Sequence, residues 1–353
     1  MASFSIDGRI EQRYKILRHI GSGAYGVVWC ALDRLTHTQV ALKKVFDAFG
    51  NQQDAQRTYR EVMLLDNLRH ESIVGLKNVI RSVNDTDLYL VFELVETDLT
   101  TILRHKVVEP VHRRYLAYQV VKVVAYLHSR GVIHRDLKPA NVFVNSDCRI
   151  KLGDFGLARC LHARDSADAS DDLTDYIATR WYRSPEVLVK SSTYTTAMDM
   201  WAVGCIIAEL HTASPLFMGN STLHQLSIII SAVGEPNAED VDSLGSEEAW
   251  PLVDALPVIE SDPLQDQLSQ YDQEAVDLIC KLIVFNPKKR LTAREVLEHP
   301  YFAPFVTEKD LEEDKKSDPL ALPLPDDKDY PAAQYREALY DAIAHRFRRS
   351  IGV

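Results

Sequence analysis

The stretch VIHRDLKPANVFV, residues 132–144, sets Asp136, Lys138 and Asn141 between two apolar runs, and KLGDFGLAR, residues 151–159, places Asp154 after another such run. Transfer of a phosphoryl group asks little covalent chemistry of a protein. It needs a carboxylate to accept the attacking hydroxyl's proton, oxygen ligands for a divalent metal, and cations to balance phosphate charge. These residues match those needs: Asp136 can take the proton, Asn141 and Asp154 can hold Mg2+ through oxygen, and Lys138 with Lys43 can neutralise phosphate oxygens. An isolated HRD could be any charged loop; the ordered set is what points to this chemistry.

A second group lies upstream. GSGAYGVV, residues 21–28, carries Gly21, Gly23 and Gly26, whose backbone amides could close over phosphates. A dinucleotide-binding glycine turn opens a helix, whereas Val27, Val28 and Trp29 continue as strand, so the context is a glycine-rich hairpin instead. Lys43 ends a strand-like run, VALKK, and Glu61 lies inside the helical RTYREVMLL. Alone, each is a solvated charge. Together they make a phosphate-holding ammonium and the carboxylate that orients it.

The third group is DDLTDYIATRWYRSPE, residues 171–186, with Thr174 and Tyr176 among acids and ahead of Arg180 and Arg183. Asp, Ser and Thr gather in ordinary surface loops. The alternative is a phosphorylation switch, since each phosphate would bring nearly two negative charges and three acceptor oxygens close to arginines.

The elements that must position these groups fall into two textures. From residue 14, short β-like runs (YKILRHI, VVWCAL, QVALKKV, VGLKNVI, DLYLVFEL) surround one helical stretch in which Tyr59, Val62, Met63, Leu65 and Leu68 keep near-helical spacing, giving five strands and one helix. Beyond about residue 98 long helical patterns dominate; HRRYLAYQVVKVVAYLHSRG ends on Gly131, a natural residue just past a helix end. The boundary falls in LVETD, residues 94–98. After HPYF come an acidic run, TEKDLEEDKKSD, a Pro-rich segment and a helical QYREALYDAIAHRFRRS, expected to wrap over the surface.

The 353 residues are 46% hydrophobic and 26% charged, enough for a large core in two or three lobes, and the net charge of −11 disfavours nucleic acid and anionic membranes as partners and favours basic peptides. The five cysteines are scattered without a CxxC pair, against both a disulfide framework and a zinc site. The opening MASFSIDGRIEQRYKI is polar and charged with no apolar core, and no uninterrupted apolar run of 18 residues occurs, so neither export nor membrane insertion is expected.

GSGAYGVV, VALK, HRDLKPAN, DFG and SPE, in that order, make residues 14–305 resemble a eukaryotic protein kinase. The resemblance implies an α+β, two-lobed fold: a strand-rich N-lobe over 14–95, a helical C-lobe over 96–305 with an activation loop at 154–186 and an insert near 232–272, and a docking extension over 306–353. It implies ATP as cofactor with Mg2+. Gly21, Gly23, Gly26, Val28, Lys43 and Glu61 would bind the nucleotide, and the segment ELV, with Glu93 and Val95, would give the hinge hydrogen bonds to adenine. Glu186 would pair with Arg290. Where such kinases usually read APE, this chain has Ser184.

TDY followed by IATRWYRSPE resembles the activation lip of a mitogen-activated protein (MAP) kinase of the Thr-Asp-Tyr kind found in plants and protozoan parasites. By that resemblance phosphate on Thr174 would gather Arg60, Arg135 and Arg159, phosphate on Tyr176 would meet Arg180 and Arg183, and the substrates would be Ser-Pro or Thr-Pro sites. The acidic run reads either as solvated surface or as a patch for basic docking motifs, with Glu308 and Asp310 as candidates; Thr307 stands where the family often has its first patch aspartate. The expected partners are an upstream dual-specificity MAP kinase kinase, substrates with basic motifs and phosphatases, acting on a monomer in the cytoplasm and nucleus. Two rival readings are a cyclin-dependent-like kinase, disfavoured because RTYREVMLL is unlike PSTAIRE, and a pseudokinase scaffold, disfavoured because Lys43, Glu61, Asp136, Asn141 and Asp154 are all present.

Overall fold

A computed structural model of the protein describes residues 5–23, 25–105, 108–161, 180–191, 194–256, 262–313, 318–326 and 328–351, the side chains of 313 and 345–351 excepted. The chain divides into two compact units.

The first unit comprises residues 1–96, 153–157 and 321–353. After a short helix, α1 (Gly8–Arg13), five antiparallel strands follow: β1 (Tyr14–Gly23), β2 (Gly26–Asp33), β3 (Thr38–Val45), β4 (Leu76–Arg81) and β5 (Leu88–Glu93), in the order β1-β2-β3-β5-β4. The expected count of five strands is met. Alternating Val40 and Leu42 of β3 face inward onto Ile10, Tyr14, Ala31, Tyr89 and Val91, as period-2 patterning requires. The glycine-rich turn joins two paired strands, with Gly23 opposite Gly26. A Cβ at Gly26 would come within 2.0 Å of the Lys44 carbonyl oxygen, so the neighbouring strand demands glycine there.

Helix α2 (Gln52–Asn67) begins where the Asn51 side chain accepts the Asp54 amide, a standard cap. Residues 58–65 are buried on every side. The reason is the tail. Residues 321–353, anticipated as part of a separate extension over 306–353, belong to this unit: the Leu324 amide donates to Tyr59 Oη at 3.1 Å, the Tyr59 and Tyr335 rings lie 5.5 Å apart, and the helix Ala332–Ile351 packs on α2. Residues 306–320 remain with the other unit.

The second unit, residues 97–152 and 158–320, contains α3 (Leu99–His105), α4 (Pro110–Ser129) and the small strands β6 (Thr97–Asp98), β7 (Val132–Ile133), β8 (Val142–Val144), β9 (Ile150–Leu152) and β10 (Arg159–Cys160). Pro110 sits in the first turn of α4, where its missing N–H costs nothing, and Gly131 ends the helix at φ +67. The helix Ala197–Thr212 is buried along residues 198–210, which its nearly all-apolar sequence requires. No helix among the described residues is long and apolar enough to cross a membrane.

Candidate active site

In the strand-rich unit, β3 carries Lys43 opposite Val28 and Leu90. Its Nζ donates to Glu61 Oε1 at 2.7 Å and Oε2 at 2.9 Å, joining the sheet to α2. Burial by itself would lower the Lys43 pKa; the Glu61 charge, then that of Asp154, outweighs it and keeps the ammonium charged beyond its ordinary range. The Asp154 backbone is left-handed, at φ 55, a conformation that costs a non-glycine residue energy and clusters at functional positions. Glu93 closes β5, and its side chain accepts the Gly75 amide at 2.6 Å; Val95 follows, half-buried.

In the helical unit, the loop after β7 is bent around one buried carboxylate. Asp199, 1% exposed, accepts the His134 and Arg135 amides at 2.8 and 2.9 Å and the His128 ring at 3.0 Å. Burial opposes its ionisation, but His128 and His134 more than offset this and hold its pKa low. Arg135 is thereby fixed at φ 68, and the next side chain, Asp136, is turned inward at 7% exposure. Lys138 Nζ donates to Asp136 Oδ2 at 2.6 Å. Asn141 Nδ2 donates to the Asp136 carbonyl at 2.8 Å and to Oδ2 at 3.1 Å. Asp136 Oδ1 is buried and has no partner among the described residues. One carboxylate oxygen is thus charge-compensated and oriented, and the other carries no partner among the described residues.

Below this loop, Glu186 and Arg290 form the expected pair, bidentate at 2.6 and 2.7 Å and almost fully buried. The other expected residues distribute as follows. Arg159 opens β10, opposite Ile133. Arg135 stacks on the Tyr194 ring at 4.2 Å, and Arg180 donates to the Asn220 carbonyl. Arg60 belongs to the strand-rich unit, where its Nε donates to Asp326 Oδ1 at 2.9 Å. Thr174, Tyr176 and most of the 154–186 loop lie outside the described residues.

The two docking candidates differ. Glu308 is exposed. Asp310 is 6% exposed and accepts from the Thr307 amide and hydroxyl at 2.8 and 2.7 Å, from Tyr118 Oη at 2.8 Å and from Lys122 Nζ at 3.0 Å. Thr307 and Asp310 cap the helix Glu308–Glu313. The Asp310 carboxylate thus serves as an internal cap, whereas Glu308 faces solvent. Two further residues, Asp199 and Arg57, were not among the expected site residues; the signals were an acid in the first turn of the largely apolar helix Ala197–Thr212, and a cation one helical turn before Glu61 on the same face.

Residues 14–302 match the protein kinase domain family, and the chain belongs to it. Such a domain uses ATP and a divalent metal. Within that family it is similar to MAP kinases: the chain is 46% identical over 345 residues to extracellular signal-regulated kinase 2 of Dictyostelium discoideum, covering 97% of this chain and 93% of that one. It is 44% identical to mitogen-activated protein kinase 15 of Xenopus laevis, covering 98% of this chain but only 59% of the frog protein. It is 42% identical to mitogen-activated protein kinase 5 of Arabidopsis thaliana, over 81% of this chain and 76% of the plant protein. The chain is a serine/threonine kinase of the MAP kinase family, and the cyclin-dependent and scaffold readings are not favoured.

Proposed function

We propose that the protein transfers the γ-phosphoryl group of Mg·ATP to Ser-Pro and Thr-Pro sites and is activated by phosphorylation of Thr174 and Tyr176. The observation that carries the catalytic part is Asp136, with Oδ2 engaged by Lys138 and Asn141 and Oδ1 buried without a partner among the described residues. That arrangement suits a base accepting a proton from a hydroxyl nucleophile. The donor set suits Mg2+: Asn141 uses its amide nitrogen toward Asp136, so its oxygen is available for a hard cation, and Asp154 supplies a carboxylate. When bound, the metal neutralises phosphate charge. Lys43, charged and oriented by Glu61, holds phosphate oxygens, and Lys138 balances charge beside Asp136. Glu93 and Val95 lie where β5 gives way to the linking segment and would meet adenine through their backbone.

Activation follows from charge. Phosphate on Thr174 would claim Arg60, Arg135 and Arg159, and to take Arg60 it must compete with Asp326. Phosphate on Tyr176 would meet Arg180 and Arg183. Substrate choice would rest on the residue after the target: by resemblance to proline-directed kinases Arg183 would occupy the backbone carbonyl near Ala178, which lies outside the described residues, so that an ordinary residue would strand an N–H at about 1–3 kcal/mol, whereas proline has none. Partners are an upstream dual-specificity kinase, phosphatases, and substrates bearing basic motifs that exposed acids such as Glu308 attract. Cytoplasmic and nuclear work fits such partners.

The test compares peptides differing only in Pro or Ala after the target residue, using protein shown by mass spectrometry to carry both phosphates. About a 5- to 150-fold advantage in kcat/KM for Pro is expected; equal values would refute proline direction.

A further inference from the structure

Arg57 of α2 plays no part in the reading above, yet the glycine-rich turn and residues 153–157 meet at its side chain. Its guanidinium carbon stands 4.0 Å from the centroid of the Tyr25 ring, at the tip of the turn. Its Nη2 is 3.7 Å from Asp154 Oδ1. A Cβ at Gly156 would come within 2.6 Å of Arg57 Nε, so glycine beside Asp154 is what admits the guanidinium. Arg57 and Glu61 share one face of α2, and the helix that presents Glu61 to Lys43 also presents Arg57 to Asp154. Its positive charge opposes the carboxylates that keep Lys43 charged.

The contacts are of the exchangeable kind. At 3.7 Å the Arg57–Asp154 pair is an ion pair without a hydrogen bond, and the two side chains are 24% and 34% exposed, which screens their attraction. A divalent ion approaches a carboxylate oxygen to about 2.1 Å with twice the charge, so it outcompetes a guanidinium at that distance.

We propose that Arg57 is a positioning residue that ties the tip of the glycine-rich turn to Asp154, and that Mg2+ bound with nucleotide would exchange with Arg57 at the Asp154 carboxylate. The inference rests on the reading of Asp154 as a metal ligand. It gives the turn and the metal site a shared control: the cation that holds the turn is the one the metal displaces.

Two measurements test it on the full chain. Hydrogen exchange of amides 21–23 and 25–28 is followed without nucleotide, and binding of a fluorescent ATP analogue is titrated with Mg2+. Arg57→Ala should speed exchange about two- to fivefold, the scale of an exposed cation–π contact. It should also lower the Mg2+ concentration for half-maximal binding about two- to fivefold, the scale of a partly exposed ion pair. Tyr25→Leu should speed exchange alone, and Arg57→Lys, which keeps charge without a flat surface to stack, should do the same with an unchanged Mg2+ requirement. Unchanged behaviour of Arg57→Ala in either measurement, or a raised Mg2+ requirement, overturns the proposal. Wild-type protein that binds the analogue without any Mg2+ dependence would instead remove the metal reading of Asp154, and this inference with it.

Discussion

Two buried arginines, one in each unit, are furnished differently. Arg290 of the helical unit has every nitrogen engaged: Nη1 with Glu186 and the Ala197 carbonyl, Nη2 with Glu186 and the Phe285 carbonyl, Nε with the Val284 carbonyl. Arg60 of the strand-rich unit, 2% exposed, donates from Nε to Asp326, while its Nη2 is buried with no partner among the described residues. A buried donor left this way costs about 1–3 kcal/mol, and such costs persist where function uses them. The first arginine is an anchor whose bonds are complete. The second keeps donors in hand, and a phosphate with three acceptor oxygens is the kind of group that completes them.

The contrast breaks most visibly at the anchor. Arg290→Leu strands the Glu186 carboxylate in the interior and should lower unfolding free energy by about 3–5 kcal/mol, read by urea denaturation; a loss below 1 kcal/mol would mean the pair is not an anchor.

Acid probes the helical unit by another route. His211, in the helix Ala197–Thr212, lies 2.9 Å from Tyr301 Oη, and burial, helped by the Arg113 charge, lowers its pKa to about 4. Its folded value lies below its unfolded one of about 6.5, so the unfolded chain takes up the proton first. Stability from this group is complete above pH 6.5 and declines as pH falls toward 4, by on the order of 3 kcal/mol in all. His211→Phe should flatten that decline; an unchanged pH profile would assign it elsewhere.

The exchangeable arginine answers in activity instead. Arg60→Ala should reduce the activity of the doubly phosphorylated protein about 10- to 150-fold, the scale of hydrogen bonds to a charged group. Its effect on unfolding should be smaller than that of Arg290→Leu. Full activation without Arg60 would remove it from the phosphate site.

The smallest effect is expected at Asp310. Burial raises its pKa, but Thr307, Lys122 and Tyr118 reverse this and bring it to about 2. A carboxylate depressed in the folded state stabilises above its unfolded value near 3.9 and loses that contribution as pH falls toward 2. Asp310→Asn should therefore cost on the order of 2 kcal/mol at neutral pH and little at pH 2, while leaving affinity for basic peptides unaltered. A peptide-binding defect in a fully stable variant would restore Asp310 to the docking surface.

What the sequence made legible was local. The glycine-rich hairpin, the strand ending in Lys43, the helix carrying Glu61 and the loop of Asp136, Lys138 and Asn141 each have their determinants within a few residues. Even Glu186 and Arg290, 104 residues apart, were readable because each sits in its own motif. Arg60 and Asp326, 266 residues apart, were not, since no local pattern in the tail says which helix it will cover. The burial of Asp310 was hidden for the same reason: an acid in an acidic run looks exposed until Tyr118 and Lys122 of α4 arrive beside it. Asp199 and Arg57 act by holding other residues, and their partners come from distant parts of the chain.

The central claim is that Asp136 accepts the proton from the substrate hydroxyl. Phosphoryl transfer from Mg·ATP to a Ser-Pro peptide should be measured for doubly phosphorylated wild-type and Asp136→Asn proteins, with thermal unfolding confirming that both are folded. Loss on the order of 10³-fold or more is expected in the variant with a similar unfolding midpoint; a folded variant that transfers within tenfold of wild type would contradict the assignment of Asp136 as the base.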